Sequence, residues 1–159
     1  MQLTTMTDYA LRLLMYVGAR NDRLCTIAEV ATAHGISEAH LMKVTHRLAT
    51  GGYLDTVRGK GGGIRLARPA GTINLGEVVR DLEPDFRMVE CLGDASACKL
   101  TGRCRFTAVV TGALDAFMSE LARWSLADVL PGAKPAPPAV APPARAPLRF
   151  RRARTPARR

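Results

Sequence analysis

The most restrictive feature of this chain is a change of rhythm near its first third. Two short helical segments separated by Gly35-Ile-Ser37 give way to a stretch in which apolar residues alternate around Arg58-Gly-Lys-Gly-Gly-Gly63. Helical spacing, a glycine stop, a new cap and then a two-strand pattern with a glycine tip predict a helix-turn-helix followed by a single hairpin.

The elements follow residue by residue. Leu3, Met6, Ala10, Leu13, Leu14 and Val17 recur at helical spacing and predict a helix over 5–20, with Thr5 as its cap and Asp8 completing a capping box. Asn21-Asp22 reads as a turn. Thr26 and Glu29 form a second capping box for a helix running to His34, with Ile27, Val30 and Ala31 inward. Gly35 ends it in the left-handed conformation that glycine adopts most cheaply. Ser37 starts a third helix that reaches Thr50 and stops at Gly51-Gly52. Leu54–Val57 and Ile64–Ala67 read as strands, and Leu75–Glu83 as a short helix ended by Pro84. From Arg105 to Trp124 a long helix carries the stripe Phe106, Val110, Ala113, Phe117, Leu121 and Trp124. The expected fold is mainly α with a small β-hairpin wing: a winged helix-turn-helix plus a long helix. The expected boundaries are 1–83 for the winged domain, 84–104 for a loop, 105–130 for the long helix and 131–159 for a tail.

Charge needs care here. The net charge is +9, but residues 131–159 hold eight of the 23 basic residues, eight of the ten prolines and no acidic residue. The body over 1–130 carries 15 basic against 14 acidic residues, so DNA binding has to be argued from local patches. The tail's composition cannot build a core; it reads first as a disordered, solvated end, with nonspecific phosphate contacts as the other reading.

A recognition helix must be polar on the side opposite its buried face to lie in the major groove. In the third helix Leu41, Val44, Thr45 and Leu48 cluster on one side. Ala39, Met42, Lys43, His46 and Arg47 point away, with His40 at the margin. Lys43 and Arg47 suit guanine or phosphate oxygens; Ala39 and Met42 suit thymine methyl groups. Arg58, Lys60 and Arg65 lie on or beside the glycine loop, placed for the backbone or the minor groove. A helix-turn-helix pattern also occurs in folds that bind no DNA; the basic wing tips the balance.

Cys91, Cys98 and Cys104 are spaced C-x6-C-x5-C. The C-x2-C pairs usual in zinc sites are absent, and wide, loop-borne thiols suit an iron–sulfur cluster. Lys99, Arg103 and Arg105 would lower the thiol pKa values and offset cluster charge. Three packed cysteines with no ligand role are the plain alternative. Three thiolates leave one iron of a cubane without a protein ligand, for which Glu90, Asp94 or a residue from elsewhere such as Asp8 are candidates. Cys25 reads as a packed small hydrophobe.

Other classes are disfavoured. Asp8 and Arg12 interrupt the N-terminal apolar residues, so no secretion signal is expected, and no stretch approaches the roughly 20 apolar residues of a membrane span. A cytoplasmic protein is the expectation, with thiols rather than disulfides. The sequence offers no nucleotide loop, no Ser/His/Asp set and no paired carboxylates, so an enzyme is not expected.

With these residues in place, the chain resembles the NsrR-type nitric-oxide-sensing repressors, within the winged-helix iron–sulfur regulators that include IscR and RirA. The matching stretches are Met1-Gln-Leu-Thr4 with Thr7-Asp-Tyr9, Gly35-Ile-Ser37, Gly52-Tyr53, Val57-Arg-Gly-Lys-Gly-Gly-Gly-Ile-Arg-Leu66, Gly76-Glu-Val-Val-Arg-Asp-Leu-Glu-Pro84, the three cysteines and Ser125-Leu-Ala-Asp-Val129. The resemblance implies a homodimer held by the long helix and an inverted-repeat operator in double-stranded DNA. It implies a cluster on Cys91, Cys98 and Cys104, with Asp8 of the other protomer as fourth ligand and nitric oxide as signal. The IscR type has a histidine three residues past its last cysteine; here that position is Thr107. This departure favours a 4Fe–4S over a 2Fe–2S site. Iron or cluster-status sensing of the RirA or IscR type is the alternative.

Overall fold

The first helix starts at Thr5 as its sequence suggests, but its cap lies one residue earlier and it ends two residues sooner, at Gly18. The computed structural model describes residues 2–93, 98–100 and 103–133. In it α1 spans Thr5–Gly18, and its cap is Thr4, whose extended backbone lets the hydroxyl accept from the Thr7 N–H at 3.3 Å. Thr4 wins over Thr5 because it is tied down from afar: its N–H and hydroxyl both donate to Glu83 Oε1, at 2.8 and 3.2 Å. Asp8 closes no capping box; it pairs with Arg12 one turn on, at 3.0 Å. Ala10, Leu13, Leu14 and Val17 form the buried stripe of α1.

Helices α2 (Ile27–His34) and α3 (Glu38–Thr50) make the helix-turn-helix. Thr26 caps α2 by accepting from the Glu29 N–H at 3.2 Å. Gly35 has φ 63°, and the Ile36 N–H returns to the Ala31 carbonyl at 3.1 Å, which closes α2 and drives Ile36 into the core. Ser37 caps α3. The same closure recurs at the end of α3, where Gly52 has φ 72° and the Tyr53 N–H reaches the Leu48 carbonyl at 2.9 Å. Tyr53 is buried, and its hydroxyl donates to Asp81 Oδ2 at 2.5 Å. Burial and this carboxylate hold the phenol in its neutral form, with a pKa well above the usual tyrosine value.

Strands β1 (Leu54–Val57) and β2 (Gly63–Leu66) pair antiparallel, with Val57 opposite Gly63 and Asp55 opposite Arg65. The second strand starts one residue before the expected Ile64 because Gly63 completes the register. A further residue joins this sheet: Cys25 exchanges both backbone hydrogen bonds with Ile64, at 2.9 and 2.8 Å. A side chain at Gly63 would put its Cβ 2.6 Å from the Cys25 carbonyl oxygen. Cys25 itself is fully buried among apolar residues, as a small hydrophobe should be.

Helix α4 (Leu75–Leu82) is capped by Asn74, whose amide also donates to the Ala122 carbonyl at 2.7 Å. The chain beyond the long helix comes back to this point, with Leu75 N–H on Trp124 O and Leu126 N–H on Ile73 O. Gly76 permits that return: a Cβ there would lie 2.9 Å from the Ala122 nitrogen.

Helix α5 runs over Arg105–Leu121, with Ala122 at its C-cap and Trp124 beyond it. Its buried residues are Val110, Leu114 and Met118, and the last two pack with Val79, Leu3, Leu11 and Phe86 in a second small core. The expected stripe lies on the border of this face. Phe117 and Leu121 pack partly inward, whereas Phe106 is 60 % exposed and Ala113 is exposed. The apolar arc of α5 is wider than one protomer covers, and Val109, 65 % exposed, belongs to its open side. None of the described helices is long and apolar enough to cross a membrane. The expected tail falls outside the described residues from 134 onward; Leu130, just before it, packs its side chain toward Gly18.

Candidate nucleic-acid interface and cysteine loop

Helix α3 buries Leu41, Val44, Thr45 and Leu48 and exposes Ala39, His40, Met42, Lys43, His46 and Arg47. The two faces fall as the helical period requires, so six candidate readers share one solvent surface. His40 leans on Tyr9 of α1, with ring centroids 6.2 Å apart. In the wing, Arg58 and Lys60 are exposed on the connection between β1 and β2, where Gly59 and Gly61 take positive φ. Among the described residues, Lys43, Arg47, Arg58 and Lys60 enter no ion pair. Arg65 is exposed but already faces Asp55 across the strands, at 3.5 Å. Such an exposed pair holds weakly and can yield to a phosphate. Arg68, which sequence reasoning did not single out, lies over the Tyr53 ring at 5.0 Å and pairs with Glu77 at 3.9 Å.

The cysteines sit between α4 and α5. Cys91 lies in a short 3-10 turn over Glu90–Leu92, Cys98 follows the undescribed residues 94–97, and Cys104 is the N-cap residue of α5. All three are half-buried. The Cys91 sulfur lies 3.3 Å from Thr107 Oγ1. The Cys104 sulfur faces the free N–H groups of Thr107 and Phe106 in the first turn of α5, and these hold its thiol below the usual pKa. The helix N-terminus does this, where the sequence had suggested Lys99, Arg103 and Arg105. Cys25 shows the opposite behaviour: burial pushes its thiol up, which keeps it protonated and inert.

Glu90 lines an open depression of about 280 Å³ with Arg87, Met88, Val89 and Gly93. Asp94 lies outside the described residues. Asp8 sits on α1 in its pair with Arg12, with 45 % of its side chain exposed. Among the described residues of one protomer, no three His, Cys, Asp or Glu side chains converge as for a single metal ion. The donors are spread over a turn, a loop and a helix cap. Three soft thiols, one of them with its pKa lowered at a helix N-terminus, fit a wide polynuclear group in their chemistry better than a lone cation.

A sequence model described as Rrf2, an iron-dependent transcriptional regulator, matches residues 3–132. The chain belongs to the Rrf2 family. Rrf2 proteins regulate transcription, bind DNA and form dimers. Solved structures agree on the fold. A Listeria innocua protein described as a transcriptional regulator is 24 % identical, with TM-score 0.69 over 84 % of this chain and 89 % of its own. IscR of T. potens is 21 % identical, with TM-score 0.65 over 80 % and 85 %. The oxidized form of Staphylococcus aureus CymR is 23 % identical, with TM-score 0.64 over 79 % and 93 %.

Proposed function

We propose that this Rrf2 regulator is a dimeric repressor that releases its operator when nitric oxide attacks an iron–sulfur cluster. Helix α3 reads the major groove through Ala39, His40, Met42, Lys43, His46 and Arg47. The wing holds the backbone through Arg58, Lys60 and Arg65. Two such modules in a symmetric dimer address an inverted repeat. Cys91, Cys98 and Cys104 would hold the cluster, a 4Fe–4S group, with Asp8 supplied by the other protomer. When bound, the cluster supplies irons with which nitric oxide reacts. The protein itself supplies the linkage: Cys104 starts α5, and α5 carries the uncovered apolar arc on which the two protomers meet. The observation that carries this reading is that placement of a stabilised thiol at the head of the helix with an unpartnered face. A regulator of transcription works beside DNA, so the cytoplasm is the assigned location.

The experiment is absorbance and electron paramagnetic resonance of anaerobically purified protein, titrated with nitric oxide while operator binding is followed. Bleaching of a visible band, a dinitrosyl-iron signal and DNA release in step are expected. Release that tracks iron depletion and ignores nitric oxide replaces the signal with iron or cluster status. Colourless protein holding zinc overturns the cluster.

A further inference from the structure

We propose that Thr107 is a positioning residue for the thiol site, its hydroxyl donating to the Cys91 sulfur from the first turn of the helix that Cys104 caps. This rests on the cluster reading above. Thr107 Oγ1 is 3.3 Å from Cys91 Sγ, inside hydrogen-bond range for sulfur. Three residues earlier in the same turn, Cys104 occupies the cap of α5, with no side-chain hydrogen bond closing it. The half-buried Thr107 therefore reaches Cys91 across the loop from the first turn of the helix that Cys104 starts.

The ligand class is an anionic thiolate bound to a soft metal. A hydroxyl donor satisfies a lone pair that the metal does not use and fixes the direction of the sulfur. Valine has nearly the same shape and no donor; serine keeps the donor and loses a methyl group. Cys91 and Cys104 approach from opposite ends of the loop, across residues that include Cys98. Thr107 thereby ties the α4 side of the loop to α5, so that loss of either sulfur's partner is felt at the head of the helix.

The test compares the full chain with Thr107→Val and Thr107→Ser, each purified anaerobically with its cluster, by absorbance decay after addition of an iron chelator. Thr107→Val is expected to lose the cluster roughly tenfold faster or more, with Thr107→Ser close to the parent and thermal melting of the metal-free proteins unchanged. Equal decay in Thr107→Val and parent overturns the proposal, as does a serine variant as fast as the valine variant. If the protein holds no cluster, the proposed function falls and a second measurement decides Thr107. That measurement is iodoacetamide alkylation of Cys91 relative to Cys98 in metal-free protein, read by mass spectrometry. The Cys91 to Cys98 ratio is expected to change severalfold in Thr107→Val, because the Cys91 sulfur loses its hydrogen-bond partner; an unchanged ratio overturns it.

Discussion

Lys43 and Arg47 stand one turn apart on the open side of α3, and among the described residues neither is held by a carboxylate. Lys43→Ala is expected to weaken operator binding by about 1–3 kcal/mol, read by fluorescence anisotropy, with iron content unchanged. Unaltered affinity removes Lys43 from the interface. Gly63 is a structural counterpart. Its Cα sits beneath the Cys25 carbonyl, so Gly63→Ala must push the two backbones apart and is expected to cost about 1–3 kcal/mol in urea unfolding. The buried set of α3 was readable from spacing alone because helical period decides it. The cap of α1 was not, because Thr4 is selected by Glu83, which lies 79 residues away. Nor was the contact of Cys91 with Thr107, since no local pattern announces a pairing across an irregular loop.

At the level of elements, α5 is the one whose sequence was most easily misjudged. A step of three and four found an apolar stripe, but the period says nothing about which part of a broad arc the protein's own core takes. Val79 of α4 claims Leu114 and Met118, and the side carrying Phe106, Val109 and Ala113 remains open. If that side is where protomers meet, Val109→Glu buries a lone carboxylate there and weakens self-association by about tenfold or more, measured by light scattering against dilution. Helical content should not change, because the residue has no inward contact to lose. A dimer that persists at the same dilution places the interface on another surface. The two closures at Gly35 and Gly52 were legible, by contrast, since each needs only a left-handed residue in the right place.

Over the whole molecule, the net charge is unevenly distributed along the chain. The body, 1–130, is close to neutral with 15 basic and 14 acidic residues, and the excess resides after it. Truncation after Ala133 is expected to leave the salt dependence of operator binding within about one phosphate contact of the full chain, a change in slope below roughly 0.9. A larger loss of slope would assign the C-terminal arginines to DNA.

The exchange of hydrogen bonds between Cys25 and Ile64 has a mechanical consequence. The connector before α2 and the base of the wing are stitched into one piece, and α3 runs through its closure at Gly52 straight into β1. Reading helix and wing therefore travel together. Under the proposed function, a signal arriving at the cysteine loop would move each helix-and-wing unit as one piece, like the jaw of a caliper. What such a regulator measures on DNA is a length as much as a sequence.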